Sequence, residues 1–215
     1  MKRLLSGLFL PLAFLSSLAF AFDFQLNGGA RPIAPATTSS GSSCTTYATW
    51  NPSDKGAAVV LSNGNLTASL GTDMVRSTIS KSSGKHYWEV TFDALTGLTI
   101  GIANSTASLT SYLGFDANGW SYYSSNGNKV NNVTQVAYGA TYVAGDIVGV
   151  ALDMDAGTIT FYKNGASQGQ AYSGLSGTMF AALGDDNSSG QGTANFGATA
   201  FTYTPPTGYT AGLCT

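Results

Sequence analysis

An all-β chain folded as a two-layer antiparallel β-sandwich is what this sequence predicts, and three observations carry the prediction. Outside an apolar leader, no segment sustains a helical period. Apolar residues instead alternate over short runs, as strands with one face on a core require. Gly, Asn, Asp and Ser cut those runs at short intervals, supplying turn chemistry between strands. Charged residues are 9% of the 215-residue chain and aromatics 12%, against about 25% charged in an average soluble protein. Hydroxyls and amides take the place of ions at the surface, and the aromatics supply material for a core.

The N-terminus reads Lys2-Arg3, an uncharged apolar run from Leu4, then Ala19-Phe20-Ala21. A positive start, an apolar middle and small residues at −3 and −1 describe a secretory signal peptide cleaved after Ala21. The run is long enough to span a membrane if retained, so an anchor is the rival reading; Pro11 and the Ala-x-Ala ending favour cleavage. A secreted or periplasmic protein without stable membrane insertion after cleavage is the expectation. Residues 22–43, with Gly28-Gly29, Pro32, Pro35 and a Thr37–Ser43 hydroxyl run, have linker composition. The folded domain is expected over 44–215. Cys44 and Cys214 are the two cysteines, one at each end of it. In an oxidising compartment a disulfide between them would tie those ends together.

Within the domain, His86 to Asp93 is the clearest strand: His86, Trp88, Val90 and Phe92 fall on one face, Tyr87, Glu89, Thr91 and Asp93 on the other. Leu98, Ile100 and Ile102 alternate in the next. Gly114-Phe115 and Trp120–Tyr123 flank an Asp116-Ala117-Asn118-Gly119 turn and predict a hairpin, and Ser125–Asn128 is a further turn. Val148, Val150, Leu152 and Met154 share a face, as do Ile159 and Phe161 on a returning strand. Asp155-Ala156-Gly157 turns between them and Asn164-Gly165 opens the next turn. Ala194–Gly197 is the last core strand, and a tail through Phe201, Pro205-Pro206 and Tyr209 is expected to pack back on the body.

Several function classes are excluded. Net charge is −2, or −4 without Lys2 and Arg3, and no basic stripe exists, so nucleic acid is not a partner. A retaining glycosidase needs two carboxylates about 5–5.5 Å apart; the chain has one Glu, Glu89, and no Glu-x-Asp-x-Glu run. A Ser-His-Asp triad would have to use His86, which shares a face with Trp88, and no Gly-x-Ser-x-Gly elbow exists. No phosphate-cradling loop occurs. Asp146, Asp153 and Asp155 read as turn and strand-end hydrogen-bonders, since the spacing of a calcium loop is absent. No enzyme activity, cofactor or metal is expected.

Five blocks in order give the chain a family resemblance. They are Trp50–Gly56 with Val59–Ser62, Gly84-Lys85-His86-Tyr87-Trp88-Glu89-Val90, Ile100-Gly101-Ile102 with Gly119-Trp120, Gly145–Gly165, and Asn195-Phe196-Gly197 through Pro205-Pro206. Together, over residues 47–210, they resemble the SPRY domain, a concanavalin-like β-sandwich that binds partners and performs no chemistry. The last block is typical of bacterial and ryanodine-receptor-like members. The resemblance implies recognition of a protein or peptide through loops at one edge of the sandwich. Adaptor-type members contact ligand through an Arg before the Tyr-Trp-Glu-Val strand, matched here by Arg76, and a Tyr ahead of the Gly-Trp hairpin, matched by Tyr112. A loop between the last two core strands completes their pocket; here it is Gly184–Gly190, with Asp185, Asp186 and Asn187. Asp185-Asp186 stands where that branch carries an apolar-aromatic pair, so the ligand class is not inherited. An acidic, amide-rich loop favours a cationic or hydroxyl-rich partner. A lectin-like glycan binder using Tyr112, Tyr122, Tyr123 and Tyr138 as platforms is the alternative, and a structural envelope or matrix component is a third.

Overall fold

The computed structural model describes residues 44–94, 97–187 and 190–215; the expected leader and linker lie outside them. Alternation sets the backbone of the fold. β5 (Lys85–Ala94) and β10 (Ile147–Asp153) pair antiparallel, with Trp88 opposite Val150 and Val90 opposite Val148. β11 (Thr158–Lys163) returns beside β10 and sets Phe161 opposite Val150 and Ile159 opposite Leu152. All of these side chains are at most 1% exposed. β12 (Ala166–Tyr172) follows across a two-residue turn at Asn164-Gly165, both at positive φ (48° and 78°), as a turn matched to strand twist demands.

β14 (Gln191–Asn195), β3 (Thr67–Ser69) and β2 (Val60–Ser62) complete this sheet in the order β12-β11-β10-β5-β14-β3-β2. The facing sheet runs β1 (Trp50–Lys55), β4 (Met74–Lys81), β13 (Met179–Asp185), β6 (Leu98–Ala103), β7 (Gly119–Tyr123), β8 (Asn128–Asn131) and β9 (Thr134–Ala137). Every pairing in these two paths is antiparallel. Between the sheets lies one apolar core containing Trp50, Trp88, Phe92, Tyr122, Phe161 and Phe196. Trp50 meets Phe196 edge-on at 5.1 Å, and Phe92 meets Tyr142 at 5.7 Å. The expected two-layer antiparallel β-sandwich is what forms.

The ends of the domain meet. Tyr47 bridges Cys214, Thr45 N–H donates to the Thr215 carbonyl, and the Cα atoms of Cys44 and Cys214 stand 5.5 Å apart with their sulfurs at disulfide distance. Just before this point β15 (Thr210–Ala211) pairs in parallel with His86 and Tyr87 of β5.

Two expectations are corrected. Gly114-Phe115 does not form a strand with Trp120–Tyr123: β7 starts at Gly119 and hairpins with β6 and β8 instead. Residues 104–118 cross the outer face of the β1-β4-β13-β6-β7-β8-β9 sheet, where Ala107 and Leu113 pack with Met74, Ala103 and Ala182 in a second apolar cluster. Tyr122 is not a surface platform. It is fully buried between Tyr138, Tyr142 and Phe161, because β7 alternates and only one of two successive tyrosines can face out. Glu89 does lie on the outer face of β5, yet it is buried as well. The tail covers it: Phe201 stacks edge-on against Tyr87 at 5.2 Å, and the Thr202 and Tyr203 N–H groups donate to the Glu89 carboxylate, both at 2.9 Å. Tyr87 adds its hydroxyl at 3.1 Å.

Candidate functional site

At one end of the β1-β4-β13-β6-β7-β8-β9 sheet three loops converge: residues 104–118, the β8–β9 turn, and the segment following β13. What brings the first of them down is the absence of a side chain. A Cβ on Gly184 would sit 2.5 Å from the Leu113 nitrogen, so only glycine lets the loop lie against β13. Thr99 accepts from Leu113 N–H at 3.2 Å, Ser121 Oγ donates to the Leu113 carbonyl at 2.8 Å, and Met74 N–H donates to the Leu109 carbonyl at 3.1 Å.

Arg76 holds the same loop from below and is 5% exposed. Its Nε and Nη2 make a two-point ion pair with Asp54 at 2.8 and 2.7 Å, and its Nη1 donates to the carbonyls of Asn104 and Ala107, both at 3.0 Å. The fork geometry of guanidinium suits this arrangement, and an ammonium cannot reproduce it. Arg76 therefore sits under the rim, where its donors are committed to positioning.

Asp185 is also buried. Its carboxylate accepts from the N–H groups of Asn187 and Gly190, at 3.4 and 2.6 Å, which bends the loop back onto itself. The outward members of the predicted set are Tyr112, Asp186 and Asn187. Tyr112 is half-buried and packs edge-on against Phe115 at 5.8 Å; Phe115 is 47% exposed. Asp186, half-buried, accepts the Tyr123 hydroxyl on one oxygen, and its other oxygen is itself buried, with no partner among the described residues. Burial, then the negative charge of Asp186, raises the Tyr112 phenol above its ordinary range. Burial and the bond to Asp186 do the same for Tyr123. Both phenols therefore remain neutral donors at physiological pH.

Sequence reasoning missed Phe115 and the β8–β9 turn. Phe115 was legible only as part of a strand that does not form; the turn becomes relevant through contacts between distant segments. Val133 N–H donates to the Gly114 carbonyl and Asn132 N–H to the Asp116 carbonyl, both at 3.0 Å. These bonds fasten the β8–β9 turn to the segment that carries Phe115 and, through its ring, Tyr112.

Elsewhere the chemistry-bearing residues serve the fold. His86 is 7% exposed, and its Nε2 lies 3.0 Å from the Ser83 carbonyl; desolvation holds its pKa below the ordinary value. Asp153 pairs with Lys85 at 2.9 Å and accepts from two turn N–H groups, while Asp155 accepts from Gly84 N–H at 2.7 Å. Asp146 is bonded to Val143 N–H, Asn164 and Lys163. Among the described residues no three His, Cys, Asp or Glu groups come together as a metal site. Two shallow grooves, of about 330 and 410 Å³, lie beside Tyr172 and beside Phe201. Neither is lined by Tyr112 or Asp186.

A family model for the SPRY domain matches residues 85–198, more than half of the chain. The chain belongs to the SPRY family. Among curated relatives of this SPRY chain, Ran-binding protein 9 from Xenopus tropicalis is 29% identical over 170 residues, which take in 72% of the chain but 31% of that protein. The Xenopus laevis protein matches to the same extent. The chain thus spans about a third of the length of these relatives, and their eukaryotic source lends nothing to a bacterial-type subgroup. Among solved structures, the SPRY domain of human HERC1 superposes with a TM-score of 0.58 at 18% identity, covering 67% of this chain and 96% of that one. The TRIM65 PSpry domain gives 0.59 at 18% identity, covering 70% and 92%. Stonustoxin gives 0.56 at 21% identity, covering 70% of this chain and 27% of its own. These likenesses establish the SPRY sandwich.

Proposed function

We propose that this chain is an exported, non-catalytic SPRY module that binds a protein or peptide through the rim formed by residues 104–118, the β8–β9 turn and the loop after β13. One observation carries the reading: Tyr112 and Phe115 pack edge-on as an outward aromatic pair on a loop anchored to a rigid sheet, with the charge of half-buried Asp186 near the Tyr112 phenol. Aromatic groups on a preorganised scaffold are favoured interface anchors, because little freedom remains to be lost on binding. The engagement of Glu89 and His86 in backbone hydrogen bonds supports a non-catalytic role. Ran-binding protein 9, by its name, binds Ran; for this chain the partner is open.

The test selects peptides from a displayed random library on the immobilised full-length chain and titrates the enriched sequence. Tyr112→Ala is expected to weaken binding at least tenfold. Unchanged affinity in both Tyr112→Ala and Asp186→Asn would remove the rim from the account. Export is tested by N-terminal sequencing of mature protein, expected to start at Phe22; a chain beginning at Met1 or Lys2 contradicts it.

A lectin-like reading draws on one feature, the groove of about 330 Å³ lined by Lys129, Asn131, Asn132, Thr134, Val136 and Tyr172. Amides, a hydroxyl and a phenol suit a hydroxyl-rich ligand. Binding on a glycan array that Tyr172→Ala abolishes and Tyr112→Ala leaves intact would favour it.

A further inference from the structure

Positive φ is costly for any residue with a Cβ and most of all for a β-branched one. Five non-glycine residues among those described adopt it, and four are asparagines: Asn63, Asn65, Asn132 and Asn164. The fifth is Val133, at φ 53°. It occupies the second position of the two-residue turn between β8 and β9, where Asn131 pairs with Thr134. The chain contains its own control. The turn between β11 and β12 has the same length and again places an Asn first, but its second residue is Gly165. Asn-Gly is the pair this turn geometry prefers; Asn-Val is a departure from it.

Neither backbone preference nor core packing accounts for that departure. Val133 is 56% exposed, so its side chain buries little within the chain. The geometry is imposed from outside the turn, by the hydrogen bonds of Asn132 and Val133 to the carbonyls of Asp116 and Gly114. Those bonds hold Val133 to Gly114, the residue before Phe115, which is 47% exposed and packs edge-on against Tyr112. A strained residue held by its surroundings and presenting apolar surface to water points to function.

We infer that Val133 is a strained apolar anchor of the ligand site, and that the ligand is a peptide presenting an aliphatic or aromatic side chain beside basic residues. This rests on the rim reading above and names the partner that surface takes. The apolar half follows from Phe115 and Tyr112 in edge contact and from exposed Val133 bonded to Gly114, the residue before Phe115. The basic half follows from charge: in residues 104–118, 131–134 and 184–187 the partly exposed Asp116 and Asp186 are accompanied by no Lys or Arg, while Asp185 is buried beneath them. Arg76 beneath them is already neutralised by Asp54. Charge complementarity of this kind selects the partner and speeds encounter.

The test uses the full-length chain. Peptides enriched from a random displayed library are expected to share a Leu, Ile, Phe or Trp within two positions of Arg or Lys. The consensus peptide, synthesised, is titrated calorimetrically against wild type, V133G, V133N and Y112A. V133G and V133N each relieve the backbone, so the melting midpoint rises by about 2–4 °C, while affinity falls about tenfold. That opposed movement is the signature of strain kept for binding. If Y112A loses binding and both Val133 variants bind like wild type, the anchor is refuted and the rim stands. If Y112A, V133G and V133N all bind like wild type, the rim falls and this inference with it. A lowered midpoint in both Val133 variants removes the strain, and an acidic consensus removes the partner. No enrichment at all overturns both readings.

Discussion

Replacing Arg76 by Met separates a residue that contacts ligand from one that builds the rim. The substitution keeps the apolar stem and deletes the guanidinium, which makes two bonds to Asp54 and two to loop carbonyls. Removing one partner of a buried ion pair costs about 3–5 kcal/mol. The Asp54 side chain is 25% exposed, so water takes over part of its solvation and the cost moves toward the lower bound. The Asn104 and Ala107 carbonyls lose their donor too, which keeps the total near 3 kcal/mol. For a domain of this size about 2–4 °C accompanies each kcal/mol, so R76M should melt about 6–12 °C below wild type. Differential scanning calorimetry of wild type, R76M, D54N and the double variant measures both the loss and the coupling. The double variant should cost much less than the two single losses added together. Amide exchange should quicken across residues 104–118 in R76M. An unchanged midpoint with lost ligand binding would refute this reasoning, because it would put the guanidinium at the ligand and not under the loop.

Two further perturbations probe how the domain is closed. Cys44→Ser opens a bridge spanning 170 residues, which the chain-entropy view values at about 5 kcal/mol; thermal melts in oxidising buffer should drop by on the order of 10 °C, with no difference from wild type under reductant. Glu89→Gln sets an amide donor against backbone N–H groups of the tail, costs about 1–3 kcal/mol, and should speed proteolytic nicking between residues 198 and 209. Nicking at the wild-type rate would show that the tail is held by Phe201 and not by the carboxylate.

Much of the fold was legible because it depends on period two. The β10–β11 hairpin puts Val148, Val150, Leu152, Ile159 and Phe161 into the core, as their alternation requires. Asn164-Gly165 makes the turn its backbone chemistry predicts. What could not be read depends on contacts between distant segments. Gly114-Phe115 has strand composition, yet Gly184, about seventy residues later in the chain, opens the space that draws its loop onto the sheet. Glu89 was placed on the correct face, but a tail more than a hundred residues downstream covers that face. The site followed the same pattern. Tyr112 and Asp186 were named from motif position, whereas the burial of Arg76 and Asp185 and the exposure of Phe115 follow from packing that no local window contains.

A two-layer sandwich leaves two outer faces for the chain to manage, and this molecule covers both in different ways. On the sheet containing β5 the tail lays Phe201 on Tyr87 and satisfies Glu89 with backbone donors, so that cover turns its recognition groups inward. On the sheet containing β13 residues 104–118 are tied down by Arg76, Thr99, Ser121 and Met74. This second cover turns groups outward instead: Phe115 stays 47% exposed, and the neighbouring turn adds Val133 at 56%. The difference decides where binding is cheapest. A loop already ordered by these bonds has surrendered its freedom during folding, so an incoming ligand need not order it again. Loss of any one tie should therefore weaken binding as well as stability, and R76M should lower ligand affinity even though its guanidinium never touches the ligand.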